Sequence, residues 1–357
     1  MPGSTLGSSS HSQAMAQTSR SLRSLPQDAL MLVTGANGYI GSTVINLLLA
    51  EGYRVRGTVR SEKPWLDRLF HDKYGSTRYE TVVIPNLAAP GELEKALEGV
   101  WGVVHVASDL TLDPDRERVI NGTIAHTTAI LQAANNASTV QSFVLTSSST
   151  ACLIPVPNKE GIVIDEDTWN EAAIAAAWDP NTSNEDLPYN IYAASKTEGE
   201  KALWKFVKET NPRFAVNTVL PAANYGTILA PEITGSTMGW VRQLLFGNAE
   251  VFTNTPPQWF VNVEDCARLH VAALLDREVN HQRIFAFAET VNWTQAVSIL
   301  RELRPDNTNI PNPPPNEGKD LSVIIPRDKA EALLRRFWGV EGFKNLKESI
   351  SDGIEDL

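Results

Sequence analysis

Tyr192-Ala193-Ala194-Ser195-Lys196 sets a phenol and an ammonium four residues apart, the spacing that brings two side chains onto one face of a helix. A phenol ordinarily titrates at about 10, too high to exchange its proton freely at neutral pH. A neighbouring ammonium lowers that value and lets the tyrosine act as proton donor and acceptor. Hydroxyls stand ready in Thr146-Ser147-Ser148-Ser149, which closes an apolar stretch. A serine there can hold a carbonyl oxygen beside the phenol, so the implied chemistry is protonation of that oxygen.

A second set of residues suits a phosphate. The run Leu30-Met31-Leu32-Val33 breaks into a turn holding Gly35, Gly38 and Gly41, then continues as a helix-forming stretch over residues 43–50. Strand, glycine turn and helix in that order present backbone N–H groups to a phosphate at a helix N-terminus. The expected contacts are Gly35, Asn37, Gly38, Tyr39, Ile40 and Gly41. The spacing is G-x-x-G-x-x-G rather than G-x-G-x-x-G. In dinucleotide folds an acid about 20 residues past the turn bonds the adenosine 2′-hydroxyl. Here the next strand, residues 53–60, has no Asp or Glu and ends on Arg60, with Lys63 just beyond. An arginine there pairs with a phosphate through charge-assisted hydrogen bonds, so NADPH is favoured over NADH.

The elements that must position these groups follow from pattern. Residues 53–60, 79–84, 102–107 and 142–146 read as strands, separated by helical stretches at 61–75, 91–97 and 116–135. A helix over 192–209 and a strand over 215–220 continue the rhythm. This alternation predicts an α/β, Rossmann-type doubly wound parallel sheet with right-handed crossovers and ligands at the carboxyl ends of the strands. Residues 158–188 interrupt it with Glu160, Asp165, Glu166, Asp167, Glu171, Asp179, Glu185 and Asp186 against the single base Lys159. They read as a partly helical, solvated excursion. The expected division is a disordered leader at 1–27, a NADP-binding Rossmann domain at 28–221, a smaller α/β substrate-binding lobe formed by 222–260 and 288–357, and a return to the Rossmann domain at 261–287.

Composition narrows the function classes. The 357 residues are 42% hydrophobic and 20% charged, with a net charge of −11. That balance argues against sequence-independent nucleic-acid binding, which needs basic surface, and against an anionic membrane. No apolar run approaches the roughly 20 residues of a membrane span. Cys152 and Cys266, the only cysteines, give neither a disulfide framework nor a metal cluster and read as buried free thiols. His105, His126 and His270 read as structural, and no metal is expected. Residues 1–24 are Ser-rich, carry Arg20 and Arg23 and lack acids; a leader, a tag remnant and a transit peptide all share that composition. The expected setting is the cytoplasm.

Together these parts resemble the short-chain dehydrogenase/reductase superfamily in its extended, atypical branch. Over nearly all of residues 28–357 the chain is similar to the fungal and yeast NADPH-dependent aldehyde/carbonyl reductases, relatives of the dihydroflavonol and cinnamoyl-CoA reductases. The segments that carry the likeness are Val33-Thr34-Gly35-Ala36-Asn37-Gly38, Val55-Arg56-Gly57-Thr58, Leu145-Thr146-Ser147-Ser148, Leu153-Ile154-Pro155, Tyr192-Ala193-Ala194-Ser195-Lys196-Thr197-Glu198 and Gly235-Ser236-Thr237-Met238-Gly239-Trp240. The Asn-Trp-Tyr-Cys-Tyr signature of cinnamoyl-CoA reductases is absent.

The resemblance implies reduction of aldehydes or ketones, arylketones and keto esters among them, by a monomer or homodimer using NADPH. It implies that Tyr192 protonates the carbonyl oxygen, that Lys196 lowers the tyrosine pKa and binds the nicotinamide ribose, and that a serine polarises the substrate. Aligning Leu145-Thr146-Ser147-Ser148 with the family's run assigns that serine to Ser148, with Ser149 second. Thr146 and the segment His105-Val106-Ala107-Ser108 fall where the family passes the cofactor, and Pro221 falls over the nicotinamide. Asn86-Leu87 replaces the usual acid and apolar residue near the adenine. The substrate pocket is expected to draw on Ser108, Ser149, Asn224, Tyr225, Trp240 and Trp259. Two rival classes are a nucleotide-sugar epimerase or dehydratase, which Arg60 and Ser147-Ser148-Ser149 disfavour, and a non-catalytic NADP sensor, which Tyr192 and Lys196 disfavour.

Overall fold

The computed structural model describes residues 23–253 and 255–357, so most of the leader expected at 1–27 lies outside the described residues. The chain opens with β1 (Leu30–Thr34), α1 (Tyr39–Ala50), β2 (Arg54–Val59), α2 (Pro64–Tyr74), β3 (Tyr79–Val83), α3 (Glu92–Ala96) and β4 (Val100–His105). A single π-helical turn (Glu117–Asn121) leads into α4 (Gly122–Asn136), followed by β5 (Ser142–Thr146). Then come β6 (Val163–Ile164), α5 (Glu171–Trp178), α6 (Leu187–Thr210), β7 (Ala215–Pro221), β8 (Ala223–Tyr225), α7 (Thr237–Leu244), β9 (Gln258–Asn262) and α8 (Val263–Leu275). The chain ends with β10 (Arg283–Ala286), β11 (Glu289–Val291), α9 (Trp293–Leu303), β12 (Val323–Ile324), α10 (Arg327–Trp338) and α11 (Leu346–Gly353).

Seven strands form the main sheet in the order β10-β7-β5-β4-β1-β2-β3, every neighbouring pair parallel. Its central strands are apolar because helices cover both faces. Alternate residues of β1 show this: Met31 and Val33 enter the core under α1, α8 and α10, while Leu30 and Leu32 enter the one under α3, α4 and α6. This is the Rossmann-like fold anticipated above, and the strand order reverses beside β1, where β4 lies on one side and β2 on the other.

A second sheet, β11-β9-β8, packs with α7, α9 and α11 around Met238, Val241, Phe260 and Ile350. Residues 327–338, read from sequence with the smaller lobe, instead lay Ala330, Leu333, Leu334 and Phe337 onto the main sheet's core beside α8.

Among the element boundaries that differ from the sequence reading, two have clear local reasons. Strand β4 stops at His105, two residues early, because the Thr34 hydroxyl captures the next two amides: Val106 N and Ala107 N each donate to Thr34 Oγ1 at 3.1 Å. Helix α6 starts at Leu187, five residues before Tyr192, with proline in its first turn, where the missing N–H is of no consequence.

The acidic segment 158–188 is bound more closely than a solvated excursion. Its acids Glu160, Asp165, Asp167, Glu171, Asp179, Glu185 and Asp186 are exposed. Its backbone, however, pairs β6 with β12, and Asn170 N donates to Ala151 O at 2.9 Å.

Candidate active site

The carboxyl ends of β1, β4 and β2 meet at the glycine turn, where Ala36 N donates to Thr58 O at 3.1 Å. Gly35 has φ +69°, and a Cβ there would stand 2.9 Å from Ala107 N. A Cβ on Gly41 would stand 2.2 Å from Gly35 O. The three glycines therefore let strand, turn and helix approach closely. Gly38 caps α1 without a side chain, leaving the first-turn N–H groups open toward an anion. Half-buried Asn37 and Ile40 flank this cradle, whose shape fits a dinucleotide phosphate. Tyr39 contributes its backbone alone. Its side chain is buried and its hydroxyl donates to Gly226 O at 2.7 Å, tying the turn to the second sheet.

At the end of β2, Arg60 is exposed, and Lys63 Nζ donates to Ser61 Oγ at 3.0 Å. Across from them, His126 Nε2 lies 3.3 Å from Asn86 Oδ1, which also accepts from Ala88 N at 2.9 Å. Burial lowers the His126 pKa and the Arg60 charge adds to the fall. His126 thus lies beside Asn86 and within reach of the Arg60 charge. Leu87 is buried with Leu93 and Leu97, so its side chain belongs to the core.

The serines resolve by where their hydroxyls point. Ser147 Oγ donates to Glu200 at 2.6 Å, behind the site. Ser148 Oγ accepts from Thr150 N at 3.2 Å and from Thr150 Oγ1 at 3.0 Å. A hydroxyl oxygen has two lone pairs, so Ser148 is left to donate its own hydrogen. Its neighbour on α6 is the Tyr192 phenol, on whose titration the Ser148 and Thr150 hydroxyls act. Ser149 opens a 3-10 turn (Ser149–Ala151), and its carbonyl accepts from Cys152 N and Leu153 N. Thr146 turns its hydroxyl to His270 Nε2 at 2.8 Å, because His270 Nδ1 donates to Cys266 O at 2.7 Å and leaves Nε2 as acceptor. Only the Thr146 carbonyl faces the site, where Lys196 Nζ donates to it at 3.3 Å.

Electrostatics correct one expectation. The Tyr192 pKa lies above its ordinary value: burial raises it, and the Ser148 and Thr150 hydroxyls oppose the rise. With the Lys196 ammonium directed to the Thr146 carbonyl, the phenol is not brought below its ordinary value. Burial lowers Lys196 itself to about 8, against the pull of Glu200 one turn further along. His105 is lowered to about 3 by burial and by the Lys196 charge. It accepts from Thr34 Oγ1 through Nδ1 at 2.7 Å, because that oxygen is already taking two amides.

Glu200, Thr150 and Arg283 escaped the sequence reading. Glu200 is wholly buried and pairs with Arg283 Nε at 2.8 Å. It also accepts from Thr218 Oγ1 at 2.7 Å and Trp204 Nε1 at 3.2 Å. The i, i+4 spacing that joined Tyr192 to Lys196 extends to Glu200, which was the available signal.

The expected pocket residues divide. Asn224 Oδ1 and Ser108 Oγ are buried with no protein partner among the described residues, beside the carboxyl ends of β7 and β4. Tyr225 is core: it is 2% exposed and stacks on Phe260 with ring centres 5.6 Å apart. Trp259 is held by Ser322 Oγ at 3.0 Å and lies edge-on to Phe287. Trp240 is 37% exposed on α7. Pro221 is buried opposite Ala286. Cys152 and Cys266 are buried free thiols. Among the described residues no helix is long and apolar enough to cross a membrane, and no group of three or more His, Cys, Asp or Glu could hold a metal ion.

Comparison with known proteins agrees with this geometry. A ketoreductase from Aspergillus novofumigatus is 41% identical over 332 residues, covering 92% of this chain and 97% of the relative. Aldehyde reductase 2 from Sporidiobolus salmonicolor is 38% identical, covering 92% and 96%. The crystal structure of the yeast methylglyoxal/isovaleraldehyde reductase Gre2, complexed with NADPH, superposes with a TM-score of 0.77 at 26% identity, covering 91% of this chain and 97% of that one. The profile of the NAD dependent epimerase/dehydratase family matches residues 31–288. The chain belongs to that family, the extended branch of the short-chain dehydrogenases/reductases.

Proposed function

We propose that this protein reduces ketones and aldehydes to alcohols with NADPH, using Ser148, Tyr192 and Lys196. The observation that carries the reading is the Ser148 hydroxyl, left to donate by its two bonds from Thr150, at the strand end that Lys196 Nζ reaches from α6, one helical turn beyond Tyr192. Bound at the glycine turn, NADPH supplies the hydride. Ser148, constrained to donate, polarises the substrate oxygen and orients it toward the phenol. Tyr192, kept protonated by burial, gives its proton to that oxygen. Lys196, charged below about 8, stabilises the tyrosinate that results and stands where the nicotinamide ribose would lie.

Arg60 and Lys63 are the proposed holders of the 2′-phosphate, with Asn86 and His126 near the adenine. Asn224 and Ser108 bring their unpartnered polar atoms to the nicotinamide end, where a ligand N–H or O–H would satisfy them. The second sheet and α7 would cover the substrate, with Trp240 and Trp259 as aromatic walls suited to arylketones and keto esters. The names of the relatives, a ketoreductase and an aldehyde reductase, support the same reaction class.

The test is NADPH oxidation measured over a panel of aldehydes, arylketones and keto esters, with Tyr192→Phe alongside. Substrate-dependent oxidation that vanishes in the variant, with thermal unfolding unchanged, is expected. No turnover on any carbonyl, or full turnover in Tyr192→Phe, overturns the reading.

A further inference from the structure

The acidic segment 158–188 reaches under the serine that the proposed reaction depends on. Asn170 is 6% exposed. Its Nδ2 donates to Thr150 O at 2.8 Å, and its backbone N donates to Ala151 O at 2.9 Å. Thr150 is the residue whose amide and hydroxyl occupy the two lone pairs of Ser148. Asn170 also accepts from Ala173 N at 3.0 Å through Oδ1, capping α5. One side chain therefore joins the start of a surface helix to the turn that aims Ser148.

A second contact holds the same segment from the strand side. Arg283, on β10, donates through Nη1 to Glu166 O at 2.7 Å and to Thr168 O at 2.9 Å. Its guanidinium lies 3.8 Å from the centre of the Trp169 ring. The other edge of that guanidinium pairs with Glu200, which receives the Ser147 hydroxyl. Residues 166–170 are thus clamped between the Ser147–Ala151 backbone and the sheet. The Asn170 bond is buried and the Arg283 bonds are half-buried, and such bonds are worth most where little water competes.

We propose that Asn170 is a positioning residue: through Thr150 it holds the Ser148 hydroxyl as a donor aimed at the substrate oxygen, making the acidic segment a brace for the active site. The proposal rests on the carbonyl-reductase reading above. It also gives the segment a task that its exposed acids do not reveal.

Asn170→Asp separates positioning from folding, because aspartate caps a helix about as well as asparagine but offers no N–H to Thr150. Asn170→Ser keeps a cap without placing a charge near the carbonyl. Both variants are expected to lower kcat, the aspartate by about tenfold, as loss of one buried hydrogen bond implies. KM for NADPH should stay within about twofold, since the adenosine end is untouched. In a Ser148→Ala background the same substitutions should have no further effect, because residues acting through one another are not additive. Unchanged kcat in both variants, or losses that simply add to Ser148→Ala, overturns the proposal. Failure of the reductase reading is distinguished by amide exchange in the cofactor-free protein. Asn170→Asp should speed exchange in residues 148–152 and leave β2 unchanged; equal rates in parent and variant overturn the brace whether or not a substrate has been found.

Discussion

At the proposed adenosine end, Arg60 and Asn86 stand at the surface and the contacts of Lys63 and His126 are few. At the other end Ser148 and Lys196 are each 7% exposed, and Ser147, Thr146 and Thr150 all have their hydroxyls committed to named partners. Exposed charges act through water and are screened. Buried hydroxyls act through fixed geometry, and each depends on the next. The adenosine end is therefore suited to binding that can be retuned one residue at a time. The proposed hydride end is a network in which one change propagates.

The sharpest break of that contrast is expected from Tyr192→Phe, which should lower carbonyl reduction by about 10³-fold, the scale of a lost general acid, with the unfolding temperature unchanged. Ser148→Ala should cost about 10²-fold in kcat, as removal of one preorganised donor does, while Ser149→Ala leaves kcat within about twofold because only the Ser149 carbonyl is committed; equal losses in the two would return the serine assignment to the open alternatives. At the other end, Arg60→Asp should reduce the preference for NADPH over NADH by about 10- to 100-fold, the worth of a charge-assisted hydrogen bond. Its kcat with saturating NADPH should not fall, and a large kcat loss would erase the distinction between the two ends.

Two smaller effects depend on pH. Reduction needs the charged form of Lys196, so kcat/KM for NADPH should decline as pH rises through about 8, while the raised Tyr192 stays protonated over that range. A profile flat to pH 10 would show that Lys196 is not lowered. His270 is lowered to about 4 by burial, against about 6.5 for an unfolded imidazole. Between those values the unfolded chain binds the extra proton, so stability is full above about pH 6.5 and is lost as pH falls through about 4. Urea unfolding at pH 7 and pH 4.5 should show this slope, and His270→Gln should flatten part of it.

Much of this is legible in the sequence alone. The sheet's first five strands, the glycine turn and the Tyr192–Lys196 pair are all short-range features. Each is set by period, by steric allowance at glycine, or by an i, i+4 repeat. The boundary errors were local as well: only a folded Thr34 beside Val106 and Ala107 reveals why β4 ends where it does. Likewise, the tyrosine was expected to be depressed by its lysine, but burial outweighs the charge once that ammonium turns to Thr146.

By itself, then, the sequence determined an α/β fold, a phosphate turn without an acid after β2, and a phenol and ammonium on one helix face, because backbone periodicity and glycine sterics act within a few residues. Tertiary structure alone decided which of three adjacent serines meets the tyrosine. It also decided that Thr146 turns to His270, that Tyr225 fills a core, and that Glu200 meets Arg283 across 83 residues of chain. Successive residues beyond a strand end point in different directions, and the partner each one finds depends on the helix or segment packed there. For Ser148 that surrounding includes Asn170, from a stretch whose composition announces only a charged surface.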